Sequence, residues 1–132
     1  MSGEVALRGV MIAALRGDAG LMALINRVEE SGAPKVSAPA LVLGQFIASE
    51  WGARGIRGLG VRVPLTLIDR ADRPDRLGAA AARVEVVMGS LPRQVEDWSI
   101  GVVRFGQSRT VRGGDGLWTM LVDYQVRLSR LL

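Results

Sequence analysis

Two adjacent carboxylates, Glu96 and Asp97, and a second pair close in sequence, Asp69 and Asp72, are the residues here best suited to acid–base or metal chemistry. Adjacent residues on an extended segment point to opposite faces, so Glu96 and Asp97 are poorly placed to act on one substrate. Metal or glycoside chemistry needs further convergent acids, and none stand beside them in the chain. The segment Gly52–Gly60 carries four glycines and invites a phosphate-loop reading. It lacks the Gly-Lys-Ser/Thr ending and lies between two strand-like segments, whereas a nucleotide loop joins strand to helix. A hairpin connection is the better reading. The sequence has no cysteine and no histidine. Disulfides and thiolate chemistry are thereby excluded, and the usual zinc ligand, general base and pH switch are missing. The expectation is a protein that is not an enzyme, with no catalytic residues, no metal and no cofactor.

Charge points towards surfaces. The formal net charge is +4, and Lys35 is the only lysine among the basic residues. The arginines are scattered from Arg8 to Arg130 and interleaved with acids, as in Asp69-Arg70-Ala71-Asp72-Arg73-Pro74-Asp75-Arg76. No cluster is dense enough to track a phosphate backbone, although a small basic nucleic-acid-binding module stays open as an alternative. Arginine also suits protein interfaces, because its planar fork pairs well with carboxylates. With 132 residues the chain forms one domain, 1–132, large enough for a real core. No apolar stretch approaches the roughly 20 residues that cross a bilayer. Glu4, Arg8 and Arg16 interrupt anything like a signal peptide. A soluble protein made in the cytoplasm, with no membrane partner, is expected.

The elements follow from periodicity. Glu4–Leu15 places Val10, Met11, Ala14 and Leu15 at helical spacing, with Ser2 as a cap and Gly17 after the end. Asp18 is placed to cap a second short helix, Ala19–Ile25. Glu29–Ser37 reads as a polar connector, and Pro39 leads into a buried strand over Ala40–Ile47. Glu50–Gly58 reads as a long, mobile hairpin connection. Leu59–Asp69 alternates, with Leu59, Val61, Val63, Leu65 and Leu67 on one face. Pro64 cannot donate to a ladder, which predicts an edge strand or a local irregularity, and an edge is open to a neighbouring subunit. Pro74 suits the first turn of a helix with Asp72 as its cap. Leu77, Ala80, Ala81, Val84, Val87 and Met88 form its apolar stripe, which ends near Gly89. Trp98–Ser108 and Leu117–Leu128 read as strands around Gly113-Gly114-Asp115-Gly116. The fold class is α+β, a mainly antiparallel sheet of about four strands with helices packed on one face.

Three tryptophans make up half of the six aromatics. Trp118 falls on an apolar face and reads as core; Trp98 begins a strand and reads as core or rim. Trp51, in the glycine-rich loop, is the candidate interface anchor, with folding back onto its own domain as the alternative.

The local wording then becomes informative. Leu7-Arg8-Gly9, Ala13-Ala14-Leu15-Arg16-Gly17-Asp18-Ala19-Gly20-Leu21, Pro39-Ala40-Leu41-Val42-Leu43-Gly44, Leu65-Thr66-Leu67-Ile68-Asp69-Arg70 and the closing run from Arg104-Phe105 to Trp118 occur in order. Together they resemble the tail-completion (tail terminator) family of long-tailed phages and of phage-like gene transfer agents. The resemblance spans about Val5 to Leu128. It implies a structural virion protein that forms a hexameric ring, caps the tail tube, stops its polymerisation and joins the tail to the head connector. The implied partners are copies of the chain, the tail tube protein and the head–tail connector or stopper. DNA passes through the ring without specific binding, and the implied location is the neck of the particle. A head-side connector or stopper is the nearby alternative. Heterologous contacts close such rings. The candidate contact residues are Trp51, Arg54, Ile56, Arg57, Arg62, Arg109, Arg112 and Asp115, in the Glu50–Gly58 loop, the Pro64 strand and the Thr110–Gly116 tip.

Overall fold

A computed structural model describes residues 2–31 and 37–132. The order is α1 (Gly3–Arg16), α2 (Ala19–Met22), β1 (Arg27–Glu30), β2 (Ala40–Leu43), β3 (Ile47–Ala53), β4 (Ile56–Asp69), α3 (Asp75–Met88), β5 (Gln94–Val95), β6 (Trp98–Arg112) and β7 (Trp118–Leu131). Among the described residues seven strands make one curled sheet, where about four were expected. The sheet is mixed, because β1 runs parallel to β2 while every other pairing is antiparallel.

The spine of the sheet is β4. All fourteen of its residues pair with β7, from Ile56 opposite Leu131 to Asp69 opposite Trp118. Its other edge is shared: β3 takes Ile56–Arg62 and β2 takes Leu65–Ile68. Pro64 therefore lies in a central strand, and the edge-strand expectation is overturned. What holds is the local irregularity. The Pro64 carbonyl accepts from the Gly44 N–H at 2.8 Å, so its ring nitrogen faces the break where the chain leaves β2 for β3. The Gly44 carbonyl, which an N–H at position 64 would face, accepts instead from Arg8 at 2.8 Å.

The apolar alternation of β4 becomes burial of Leu59, Val61, Val63, Leu65 and Leu67. These side chains share one core with Leu7, Met11 and Leu15 of α1, Leu21 of α2, Leu77, Val84 and Met88 of α3, and Val122, Tyr124, Val126 and Leu128 of β7. Trp98 is core, at 1% exposure. Two helix caps differ from expectation. Ser2 and Pro74 occupy the N-cap positions of α1 and α3 without a side-chain cap bond, and Asp72 is not used. Asp18 does cap α2, accepting from the Leu21 N–H at 2.8 Å, but that helix ends at Met22. Of the Glu29–Ser37 connector, Glu29 and Glu30 belong to β1, and 32–36 lie outside the described residues. Ala40–Ile47 is not one strand but β2, a break, and the start of β3.

Many scattered arginines prove to be clasps between elements. Arg8 donates to the Gly44 carbonyl at 2.8 Å and pairs with Glu30, while Arg16 donates to the Val28 carbonyl, so α1 is pinned to the β1–β2 edge. Arg76 of α3 grips Asp69 at the end of β4. Arg83 of α3 grips Asp18 at the start of α2 through two bonds of 3.0 and 2.7 Å.

The Asp18 clasp has a pH signature. The hydrogen bonds from Arg83 and then the Leu21 N–H hold the Asp18 carboxyl below its ordinary value of 3.8. The Arg130 hydrogen bond does the same for Asp97. A depressed carboxyl pKa stabilises the fold fully above the unfolded-state value, and the contribution fades as pH falls through the folded-state value. Stability is therefore expected to decline below about pH 4. Arg83→Met should make that decline shallower, as urea unfolding at pH 6 and pH 3 will measure. An unchanged difference between the two pH values would remove Asp18 from the account.

Candidate functional site

Strand pleating sorts the sheet's side chains into two sets. One faces the core. The other comprises Arg62, Pro64 and Thr66 of β4 with their partners on β7, Leu121, Asp123, Gln125 and Arg127, and Val102, Arg104, Gln107, Arg109 and Val111 of β6. This second face is exposed or half-exposed throughout. It carries large apolar side chains in the open: Ile47 at 55% exposure, Val102 at 55%, Val111 at 48% and Leu121 at 39%. Arg62 and Gln107 converge on the Asp123 carboxylate at 2.9 and 3.2 Å, beside a hollow of about 500 Å³ that Arg109 and Leu121 also line. Among the described residues Arg104, Arg109 and Arg127 of this face have no carboxylate partner. The side of the sheet formed by β6 and β7 is thus basic with apolar patches. It is equipped to meet carboxylates and apolar side chains on another surface.

The expected contact residues fall into three places. Trp51, Arg54, Ile56 and Arg57 gather at one end of the sheet, where Glu50–Gly58 is no mobile loop. It is a tight β3–β4 hairpin, with Ala53 opposite Ile56 and Gly55 at φ 75° in the turn. Trp51 lies over Gly58, and the Arg127 guanidinium stacks on its ring at 4.6 Å from the centroid. Arg57 approaches Glu50 at 3.8 Å, and Arg54 is exposed in the turn. Arg112 and Asp115 sit at the opposite end, about 40 Å away along the strands. There Asp115 accepts from the Leu117 N–H at 3.1 Å and approaches Arg70 at 3.7 Å, while Arg112 stacks on Trp118. Arg62 and Arg109 occupy the middle of the uncovered face. The structure brings those two together and leaves the two loop groups apart.

Arg104, Gln107, Asp123 and Arg127 complete this face and were not singled out from sequence. The signal was present in the polar set Thr119, Asp123, Gln125 and Arg127, which alternates with the apolar residues of β7. Two of the four carboxylates suited to chemistry are held in ion pairs. Asp69 is buried against Arg76, Asp97 pairs with Arg130 at 3.0 Å, and Glu96 adopts φ 54° in the turn before β6.

Residues 9–129 match the family model described as tail completion protein gp17. The chain belongs to this family. Membership makes it a structural protein of phage-type tails, located in the virion. Its fold is shared with a chain from the virion of a native gene transfer agent particle, at a TM-score of 0.82 and 20% identity over 96% of each chain. The gp17 protein of bacteriophage SPP1 is similar at a TM-score of 0.53 and 18% identity, over 94% of this chain and 88% of that one. No curated protein matches the sequence.

Proposed function

We propose that this tail completion protein forms a ring, six copies round, that caps the tail tube, stops its polymerisation and joins the tail to the head connector at the neck. DNA passes through the ring without specific binding. The observation that carries this reading is the likeness, over 96% of both chains, to a component of a gene transfer agent virion. The surface agrees with it. A sheet face whose arginines lack carboxylate partners among the described residues, with open apolar side chains, suits protein contacts, and Arg8, Arg16, Arg76 and Arg83 are engaged as clasps inside the chain. No enzymatic role enters this reading, and two of the acids that could do chemistry, Asp69 and Asp97, serve as structural partners.

Deletion of the gene in the producing cell tests it directly, with tail length read by electron microscopy. Overlong or variable tubes beside tailless heads are the expected result. Normal-length tails that fail to join heads would move the protein to the head-side stopper position. Unaffected particles would overturn the reading altogether.

A further inference from the structure

We propose that neighbouring copies join by main-chain strand pairing, with the β6 edge of one copy, Gln107–Arg112, receiving the β3 edge, Ile47–Ala53, of the next. The inference rests on the ring reading and names the seam that closes it.

Among the described residues both segments are strand edges without a partner on their outer side. β5 and the residue before it cover only the start of β6, from Trp98 to Ile100, where the Ile100 N–H donates to the Arg93 carbonyl at 2.8 Å, and among the described residues no strand pairs with the outer side of β6 beyond that point. Among the described residues β3 pairs with β4 alone. An open edge is a template for another chain, and proteins usually blunt it with proline, lysine, bulges or a cover. Here the two irregularities of β6 fall before Gln107, and the six residues after them hold continuous register with β7. Those six contain no proline, glycine or lysine, and all are exposed. β3 is likewise regular along its seven residues, and six of the seven are exposed.

The geometry suits a ring. β3 and β6 lie on opposite sides of one sheet, so each union leaves one edge of each kind free for the next copy. Contacts of that heterologous kind close into rings when the rotation allows. Within a copy, β3 runs opposite to β6 through the antiparallel series β3–β4–β7–β6, so a rotated copy presents β3 antiparallel to its neighbour's β6. The two edges are offset along the strands by about 25 Å across about 19 Å of sheet. The strands therefore tilt by about 50° to the ring axis, near the 35–45° usual in closed barrels.

The side chains match by face as well. Ile47 and Val111 both project from the uncovered face, and both are open to solvent. With Ile47 opposite Val111 in an antiparallel register, Ala48 stands opposite Thr110 on the other face of the sheet. Strand addition of this kind takes its affinity from backbone bonds and its register from such side-chain pairs.

The chain has no cysteine, so an introduced pair reads without background. Ala48→Cys is combined with Ser108→Cys or with Thr110→Cys, all on the core-side set of their strands, and the variants are assembled into particles and oxidised. Within one chain β4 and β7 separate the two positions, beyond the Cα reach of a disulfide, roughly 7 Å at most. A ladder of linked subunits on non-reducing gels is expected for at least one of these combinations. None is expected for the single variants or for Ala48→Cys with Arg109→Cys, which projects from the opposite face. Particles that contain the protein and have tails of normal length, yet show no ladder with either same-face pair, would overturn the seam and leave the ring reading standing. An equal ladder from the opposite-face pair would overturn it too. Particles that lack the protein would sink the ring reading and the seam with it.

Discussion

Arg76→Met is expected to lower the stability of the isolated chain by about 3 kcal/mol, the lower end of the cost of breaking a buried ion pair. The reason lies in its partner. Asp69 is the last residue of β4 and is 0% exposed, beneath the start of α3. Both of its carboxylate oxygens accept from the Arg76 guanidinium, at 2.9 and 2.5 Å, and no other side chain bonds to them among the described residues. A methionine keeps the apolar stem but leaves a buried carboxylate with no counter-charge. Asp69→Asn should cost less, about 1–2 kcal/mol, because it leaves behind an arginine whose side chain is already 45% exposed and can turn to water. The asymmetry between the two substitutions is the informative quantity. Thermal and urea unfolding measure it, and the Arg76→Met loss corresponds to a fall in Tm of roughly 10 °C. Equal losses below about 0.5 kcal/mol, as for an exposed pair, would show that Asp69 is not sealed from solvent.

Elements that bury one face were legible in the sequence. The stripes of α1 and α3, the alternation of β4 and that of β7 each left a period that burial later matched, because one face must be apolar for the element to pack. β3 left no such trace. Six of its seven residues are exposed, so neither face required apolar residues, and the hairpin read as a glycine-rich loop. β6 past Gly101 escaped its true length for the same reason, and β1, with Val28 as its one buried residue, is too short to show a period. The error over Pro64 was of another kind. A missing N–H shows that a ladder bond is absent on one side, but not that the whole side is empty; the break between β2 and β3 supplied the gap. Register also decides which site residues meet. Sequence could nominate Arg62 and Arg109, which share a hollow, and Trp51 and Asp115, which lie at opposite ends, but could not tell the two cases apart.

Trp51 makes the strongest case for reading a nominated interface residue against its own fold. Its ring lies over Gly58, where the Cβ of any other residue would fall on the ring itself, and the Arg127 guanidinium stacks on it. Gly58→Ala must therefore eject the indole. The expected loss is about 2 kcal/mol, for a half-buried tryptophan and its cation–π contact. Trp51→Ala should cost a similar amount. Combining the two should cost no more than Trp51→Ala alone, since an alanine at 58 then meets open space and restricts the unfolded chain more than glycine does. The double-mutant cycle is thus expected to show a coupling of about 2 kcal/mol between residues that are seven apart in sequence and adjacent across the hairpin. Additive losses would mean that the ring is not seated on Gly58. A tryptophan held out for a neighbouring subunit predicts a different pattern, in which Trp51→Ala leaves the stability of the isolated chain unchanged and weakens particle assembly alone. The seat on Gly58 predicts that the loss appears before any partner is present.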